Sequence, residues 1–188
     1  MEHNSKIDVT TIGNAIVDII AQCDDNFLEE FKIVKSSMDL IDEERSKNLF
    51  DNLKTTTIVS GGSAANTAVG IASFGSKAAF IGKVKNDELG NTFKNDIERV
   101  GVSFKTPLTN EGPRTASSII LVTPDAERSM NTFLGACVNL DENDVDEDQI
   151  RKSKIVYLEG YLFDPPKAKQ AFIKAANISK ENQNLVSM

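Results

Sequence analysis

Ser60-Gly61-Gly62-Ser63-Ala64-Ala65-Asn66-Thr67-Ala68, running on through Val69 to Gly75, is the stretch whose reading decides the fold. It follows the apolar run Thr57-Ile58-Val59, so it reads as a strand, a sharp turn and a helix of very small residues. Gly61 and Gly62 let the backbone turn tightly and leave no side chain between it and a ligand. Ala64, Ala65 and Ala68 suit a helix lying close on a sheet. Ser60 or Ser63 is the expected cap, and the Asn66 amide in the first turn can reach back toward the glycines. Backbone N–H, hydroxyl and amide then converge on one small volume, as a neutral, hydroxyl-rich ligand requires. The alternative is a Gly-Gly turn that merely packs a helix on a strand, since short glycine motifs recur by chance.

The 188 residues fit one ordinary domain or a domain with a small appendage. With 40% hydrophobic and 26% charged residues, the composition is that of a globular chain. A formal net charge of −7 argues against a nucleic-acid partner or an anionic membrane surface. No apolar run is long enough to span a bilayer, and Met1-Glu2-His3-Asn4 lacks a signal-peptide pattern. Cys23 and Cys137 have neither metal-type spacing nor the number for a disulfide framework, so the expectation is a reduced, cytoplasmic protein. His3 is the only histidine, in an N-terminus expected to fray. That excludes a Ser–His triad, a His acid/base and a His-rich zinc site. Acid/base chemistry is left to carboxylates, lysine or tyrosine.

Asp8 to Gly13 reads as a first strand, followed by Asn14. Asp18 then interrupts the β-branched run Ile16, Val17, Ile19, Ile20, either facing a cleft or on the solvent face of an alternating strand. Helices are expected from Asp24 to Phe31, and from Asp42 with Leu49, Phe50 and Leu53 as its apolar stripe. Lys77 to Val84 has the continuous apolar character of a parallel strand covered on both faces. Asp87-Glu88 opens a helix with Leu89, Phe93, Ile97 and Val100 on one face, stopped by Gly101. Such βαβ units imply a doubly wound, mostly parallel α/β sheet. Ser117–Thr123 and Arg128–Phe133, joined by Pro124-Asp125-Ala126-Glu127, form a hairpin, which is no crossover and belongs to a separate antiparallel flap. The acidic run Asp141 to Asp148 is a solvated loop or helix start. It leads to a strand at Lys154–Leu158 and a helix from Pro165-Pro166 with Ala168, Ala171, Phe172 and Ala175 buried. From Ser179 the chain looks unpatterned, so an apolar edge beside Ile155–Leu158 is expected to lie open and to promote self-association.

Gly13-Asn14-Ala15-Ile16-Val17-Asp18, Gly61-Gly62-x-x-x-Asn66 and Gly82-Lys83-Val84-Lys85-Asn86-Asp87-Glu88-Leu89-Gly90 occur in this order in one chain. With them the sequence resembles the ribokinase/PfkB family of sugar and nucleoside kinases. The 24–53 insertion, Glu127 to Thr132 and Glu159-Gly160-Tyr161-Leu162 look most like its adenosine-kinase branch. The resemblance implies a Rossmann-like core with a small antiparallel β-sheet lid, the lid strands at about 15–23, 33–41 and 115–134 and the core in the remainder. It implies ATP and Mg²⁺ as cofactors of the full-length enzyme, with none bound by this chain alone. A small sugar or nucleoside would be the partner, and a homodimer through the lid is compatible with it. Asp18 would accept hydrogen bonds from substrate hydroxyls, with the Gly61-Gly62 backbone and Asn66 binding neighbouring ones and Asn14 a second contact. Arg128 would belong to the lid, and Tyr161 would be either a stacking platform or an ordinary packed tyrosine.

The sequence departs from the family pattern in two places. Lys85 stands where the family usually has glycine, which would strain a left-handed turn by about 1 kcal/mol. The Asp-Thr-x-Gly-Ala-Gly-Asp type segment, carrying the catalytic aspartate and the anion hole, does not occur. The expectation is the N-terminal portion of such a kinase, with the C-terminal half missing, an acceptor site present and the catalytic base absent. A non-catalytic sugar- or nucleoside-binding module is the alternative. A Rossmann dinucleotide enzyme is disfavoured because no Gly-x-Gly-x-x-Gly is present.

Overall fold

The computed structural model describes residues 7–188; His3 lies outside them. In chain order the first elements are β1 (Ile7–Ile12), β2 (Ile16–Gln22), α1 (Asp25–Glu30), β3 (Met38–Leu40) and α2 (Glu43–Asp51). Then come β4 (Thr57–Gly61), α3 (Ser63–Ser73), β5 (Ala78–Ile81), α4 (Glu88–Arg99) and β6 (Ser103–Phe104). The chain continues with β7 (Ala116–Val122), β8 (Arg128–Phe133), α5 (Glu147–Arg151), β9 (Ser153–Leu158), α6 (Pro166–Glu181) and β10 (Leu185–Ser187).

Five strands form a wholly parallel sheet in the order β10-β9-β1-β5-β6. All four residues of β5 are buried, because helices cover the sheet on both sides. Ile81 packs with the α6 residues Ala168, Ala171 and Phe172, while Phe80 faces the α3 and α4 residues Ala68, Phe93 and Ile97. Phe80, Phe93 and Phe104 interlock at centroid distances of 5.5–5.9 Å. Truncating such a buried ring to alanine costs about 3–5 kcal/mol. Local signals set the helix ends: Asp87 accepts from Gly90 N–H at the start of α4, and Pro166 opens α6 where a missing N–H does no harm.

The second sheet runs β3-β8-β7-β2-β4, with α1 and α2 packed on its outer face through Leu28, Leu49, Ile19, Ile119 and Leu121. It is mixed, where an antiparallel lid was expected: β7–β8 and β2–β4 are antiparallel, but β2–β7 and β3–β8 are parallel. Within 33–41 only Met38–Leu40 is strand. Thr57–Gly61, assigned above to the core, is instead an edge strand of this lid, pairing Ile16 with Gly61 and Ile20 with Thr57. Its alternation of exposed and half-buried residues fits an edge rather than a doubly covered core strand.

Other expectations also change. Lys85 is not in the left-handed region; its N–H donates to Thr115 Oγ1 and it forms a parallel bridge with Thr109, so no turn strain arises there. Phe50 and Val100 are 40% and 44% exposed, at the margins of their stripes. The acidic run is partly folded: Asp141 and Asp144 hold Lys83 Nζ at 3.3 and 2.7 Å, and Asp146 caps α5. Beyond Ser179 the chain is also ordered, as β10 pairs with β9 and carries the exposed apolar edge itself.

Candidate functional site

The chain passes from core to lid at Gly13-Asn14-Ala15 and returns at Gly61-Gly62, and the Ile16–Gly61 pairing sets these crossings side by side. Gly62 is the N-terminal cap residue of α3 with φ +94°, and a Cβ there would lie 2.3 Å from the Asn14 carbonyl oxygen. Only glycine combines that backbone with that approach. Neither Ser60 nor Ser63 caps the helix; the Ser63 hydroxyl donates to Glu159 instead.

Above the crossings lies a cavity of about 430 Å³, between the C-terminal edge of the parallel sheet and the inner face of the lid. Its floor carries Asn14, Asp18, Gly62, Ser63, Asn66 and Glu159. Its lid wall is mainly apolar, with Ile16, Met38, Leu40, Met130 and Leu134 beside the Ser118 and Thr132 hydroxyls, and Tyr161 stands at the mouth. On β2 the buried residues Val17, Ile19 and Ala21 face away, so Asp18 shares the cavity face with Ile16. Among the described residues no protein hydrogen bond reaches the Asp18 carboxylate, and desolvation by burial raises its pKa above the ordinary 3.8. A Cβ on Gly61 would fall 2.3 Å from Asp18 Oδ2, so the glycine keeps the space in which the carboxylate sits. Ser118 and Thr132 hydroxyls lie 2.9 Å apart on the same inner face.

Five of the anticipated residues, Asn14, Asp18, Gly62, Asn66 and Tyr161, line this cavity, and Gly61 buttresses it. Arg128 does not; it is exposed at the turn end of the β7–β8 hairpin, paired across to Val122. Tyr161 is 85% exposed and is not packed among the described residues. Glu159 carried no assigned role in the sequence, yet it is 2% exposed and faces the floor. A carboxylate just past an apolar parallel strand was the available signal. Cys137 is buried behind Asn14, its thiol 3.0 Å from Asn14 Oδ1 and 2.8 Å from Leu134 O. Burial first, and the Glu159 charge second, push that thiol well up, so it remains a donor.

A carboxylate, backbone groups and an amide gathered on one floor suit neighbouring hydroxyls, and the wall opposite suits an apolar body. Residues 29–188 match the family described as pfkB family carbohydrate kinase. The chain belongs to this family. It is 52% identical to adenosine kinase from Sinorhizobium meliloti, with a TM-score of 0.87, over 96% of this chain and 55% of that one. A probable sugar kinase from Rhizobium etli is 48% identical, with a TM-score of 0.88, over 98% of this chain and 56% of that one. Probable fructokinase-6 of Arabidopsis thaliana is 35% identical over 123 residues, 64% of this chain and 32% of the fructokinase. This kinase-family chain thus spans about half the length of the two solved kinases and about a third of the curated relative.

Proposed function

We propose that the cavity is the acceptor site of an ATP-dependent nucleoside kinase, with adenosine the substrate of choice. The observation that carries this reading is the unpartnered Asp18 carboxylate on a hydroxyl-binding floor, facing the thioether and leucine wall of Met38, Leu40 and Met130. Asp18 accepts from a ribose diol, and Asn14, Asn66 and the Gly62 backbone take the neighbouring positions. The base lies against the apolar wall, with Tyr161 stacking at the mouth. A bare sugar would satisfy the floor and leave that wall unmatched. Arg128 is outside this contact set.

Phosphoryl transfer needs a base, positioned charge and, in this family, ATP with Mg²⁺. Among the described residues no cluster of three or more His, Cys, Asp or Glu side chains is placed to hold a metal ion, and no step is assigned through one. In this reading residues 1–188 hold and orient the acceptor, and the catalytic base and anion hole come from outside them. Calorimetry with adenosine, 2′-deoxyadenosine and ribose tests it. Adenosine binds, the deoxy analogue binds about tenfold or more weaker because a buried acceptor loses its donor, and Asp18→Ala abolishes the difference. The 188-residue chain makes no ADP from ATP and adenosine. Ribose binding without adenosine binding would overturn the nucleoside reading, and ADP production would overturn the placing of the base.

A further inference from the structure

The N-terminus of α3 points at the cavity floor, where a helix end commonly receives an anion. Here the anion belongs to the chain. Glu159 Oε1 accepts from Ala64 N–H at 3.0 Å and from the Ser63 hydroxyl, while Oε2 accepts from Asn14 N–H at 2.6 Å. Among the described residues no ion pair joins this buried carboxylate, so N–H groups and the helix dipole balance its charge. Gly13 leaves it room: a Cβ there would lie 2.7 Å from Glu159 Oε2. One side chain therefore ties the end of β9 to the core-to-lid crossing and to the return at α3. Two consequences follow from that placement. The spacing between Asn14 and the first turn of α3 is set by a single group. The floor also holds two carboxylates, Asp18 and Glu159, with no Lys or Arg on the cavity lining. An anionic ligand would meet like charge and an already occupied helix end.

We propose that Glu159 is a positioning residue that plugs the α3 N-terminus, holds Asn14 and Ser63-Ala64 in the spacing a hydroxyl-bearing ligand needs, and closes that floor to anions. This deepens the nucleoside reading of the same cavity and rests on it.

The test compares wild type, Glu159→Ala and Glu159→Gln, with adenosine and formate as probes and chloride as the ionic control. Wild type responds to formate in neither adenosine affinity nor melting temperature. Glu159→Ala binds adenosine about tenfold or more weaker, and formate, entering the vacated helix end, restores affinity and raises the melting temperature. Glu159→Gln fills the space but sets an amide donor against Asn14 N–H or Ala64 N–H. It binds adenosine more weakly and ignores formate. Glu159→Ala with wild-type affinity, or with a loss that formate repairs in neither readout, overturns the proposal. If wild type does not bind adenosine, the nucleoside reading fails, and the melting response of Glu159→Ala to formate alone decides the role of Glu159. If Glu159→Ala does not fold, Glu159→Gln decides: wild-type affinity, or a loss that comes only with loss of cooperative melting, refutes the role, and lost affinity with cooperative melting retained supports it.

Discussion

Gly61→Ala perturbs the site without changing any side chain assigned to the ligand. A Cβ at this position would meet Asp18 Oδ2 at 2.3 Å, Cγ at 2.5 Å and Oδ1 at 2.8 Å. A Cβ tolerates no non-bonded contact under about 3 Å, so the carboxylate must swing away. It is the end of a side chain rather than backbone, and the β2–β4 pairing need not move. The stability cost is therefore at the low end of the overpacking range, about 1 kcal/mol. The ligand loses more. A hydrogen bond to a charged acceptor contributes about 1.5–3 kcal/mol, so adenosine affinity falls about tenfold to a hundredfold. Asp18→Ala removes the same interaction, and the two changes must not add. In a double-mutant cycle read by calorimetry, Gly61→Ala in the Asp18→Ala background costs less than about twofold, a coupling in the range for residues in contact. Independent, additive losses would refute the argument that Gly61 acts through Asp18, as would a Gly61→Ala chain with wild-type affinity.

The remaining predictions concern charge, exposure and a half-buried ion cluster. Burial raises the Asp18 pKa, so the folded chain holds this proton more tightly than the unfolded chain. Stability is therefore lost as pH rises from 3.8 through the raised folded value, and the penalty persists at neutral pH. Asp18→Asn should melt higher than wild type at neutral pH, with the gap closing in acid, yet bind adenosine more weakly; a lower neutral melting temperature counts against it. Tyr161→Ala, at 85% exposure, should leave stability within about 0.5 kcal/mol and weaken adenosine about threefold to tenfold, with no effect on ribose. Equal losses for both ligands would exclude stacking on the base. Burial opposes the charge of Lys83, but the Asp144 carboxylate at 2.7 Å holds its pKa above the ordinary lysine value. Burial likewise opposes the charge of Asp141, but the Asn143 N–H and the Lys83 ammonium keep its pKa below 3.8. Lys83→Met should destabilise by about 2–4 kcal/mol in urea at neutral pH. The Asp141 contribution to that loss is present above 3.8 and disappears as pH falls through its lowered folded value. A change below about 0.5 kcal/mol, the range of an ordinary surface substitution, would mean that the cluster is structurally idle.

Much of the fold was legible where a residue's surroundings depend on its own element. The apolar runs at 77–84 and 154–158 announced strands, the first of them buried on both faces, and Asp42, Asp87 and Pro166 announced helix starts. The β7–β8 hairpin followed from its turn, in which Ala126 adopts φ 68°. The misreadings share a cause. β4 went to the wrong sheet, the parallel pairings inside the lid were missed, and β10 looked unpatterned. Periodicity reports which face of a strand is covered, but not which strand lies beside it, and a three-residue edge strand with every residue exposed has no periodicity to read.

By itself the sequence determined the inventory of the site: a carboxylate in a β-branched run, a glycine pair before a helix of small residues, and an amide in its first turn. Those are local facts, set by which side chains lack bulk or carry charge. Only the tertiary structure decided that Asp18 faces the cavity, that Arg128 does not, and that Glu159 closes the helix end from 95 residues away. Convergence of this kind depends on two chain crossings lying side by side. Their adjacency arises from long-range strand pairing, which no local pattern encodes.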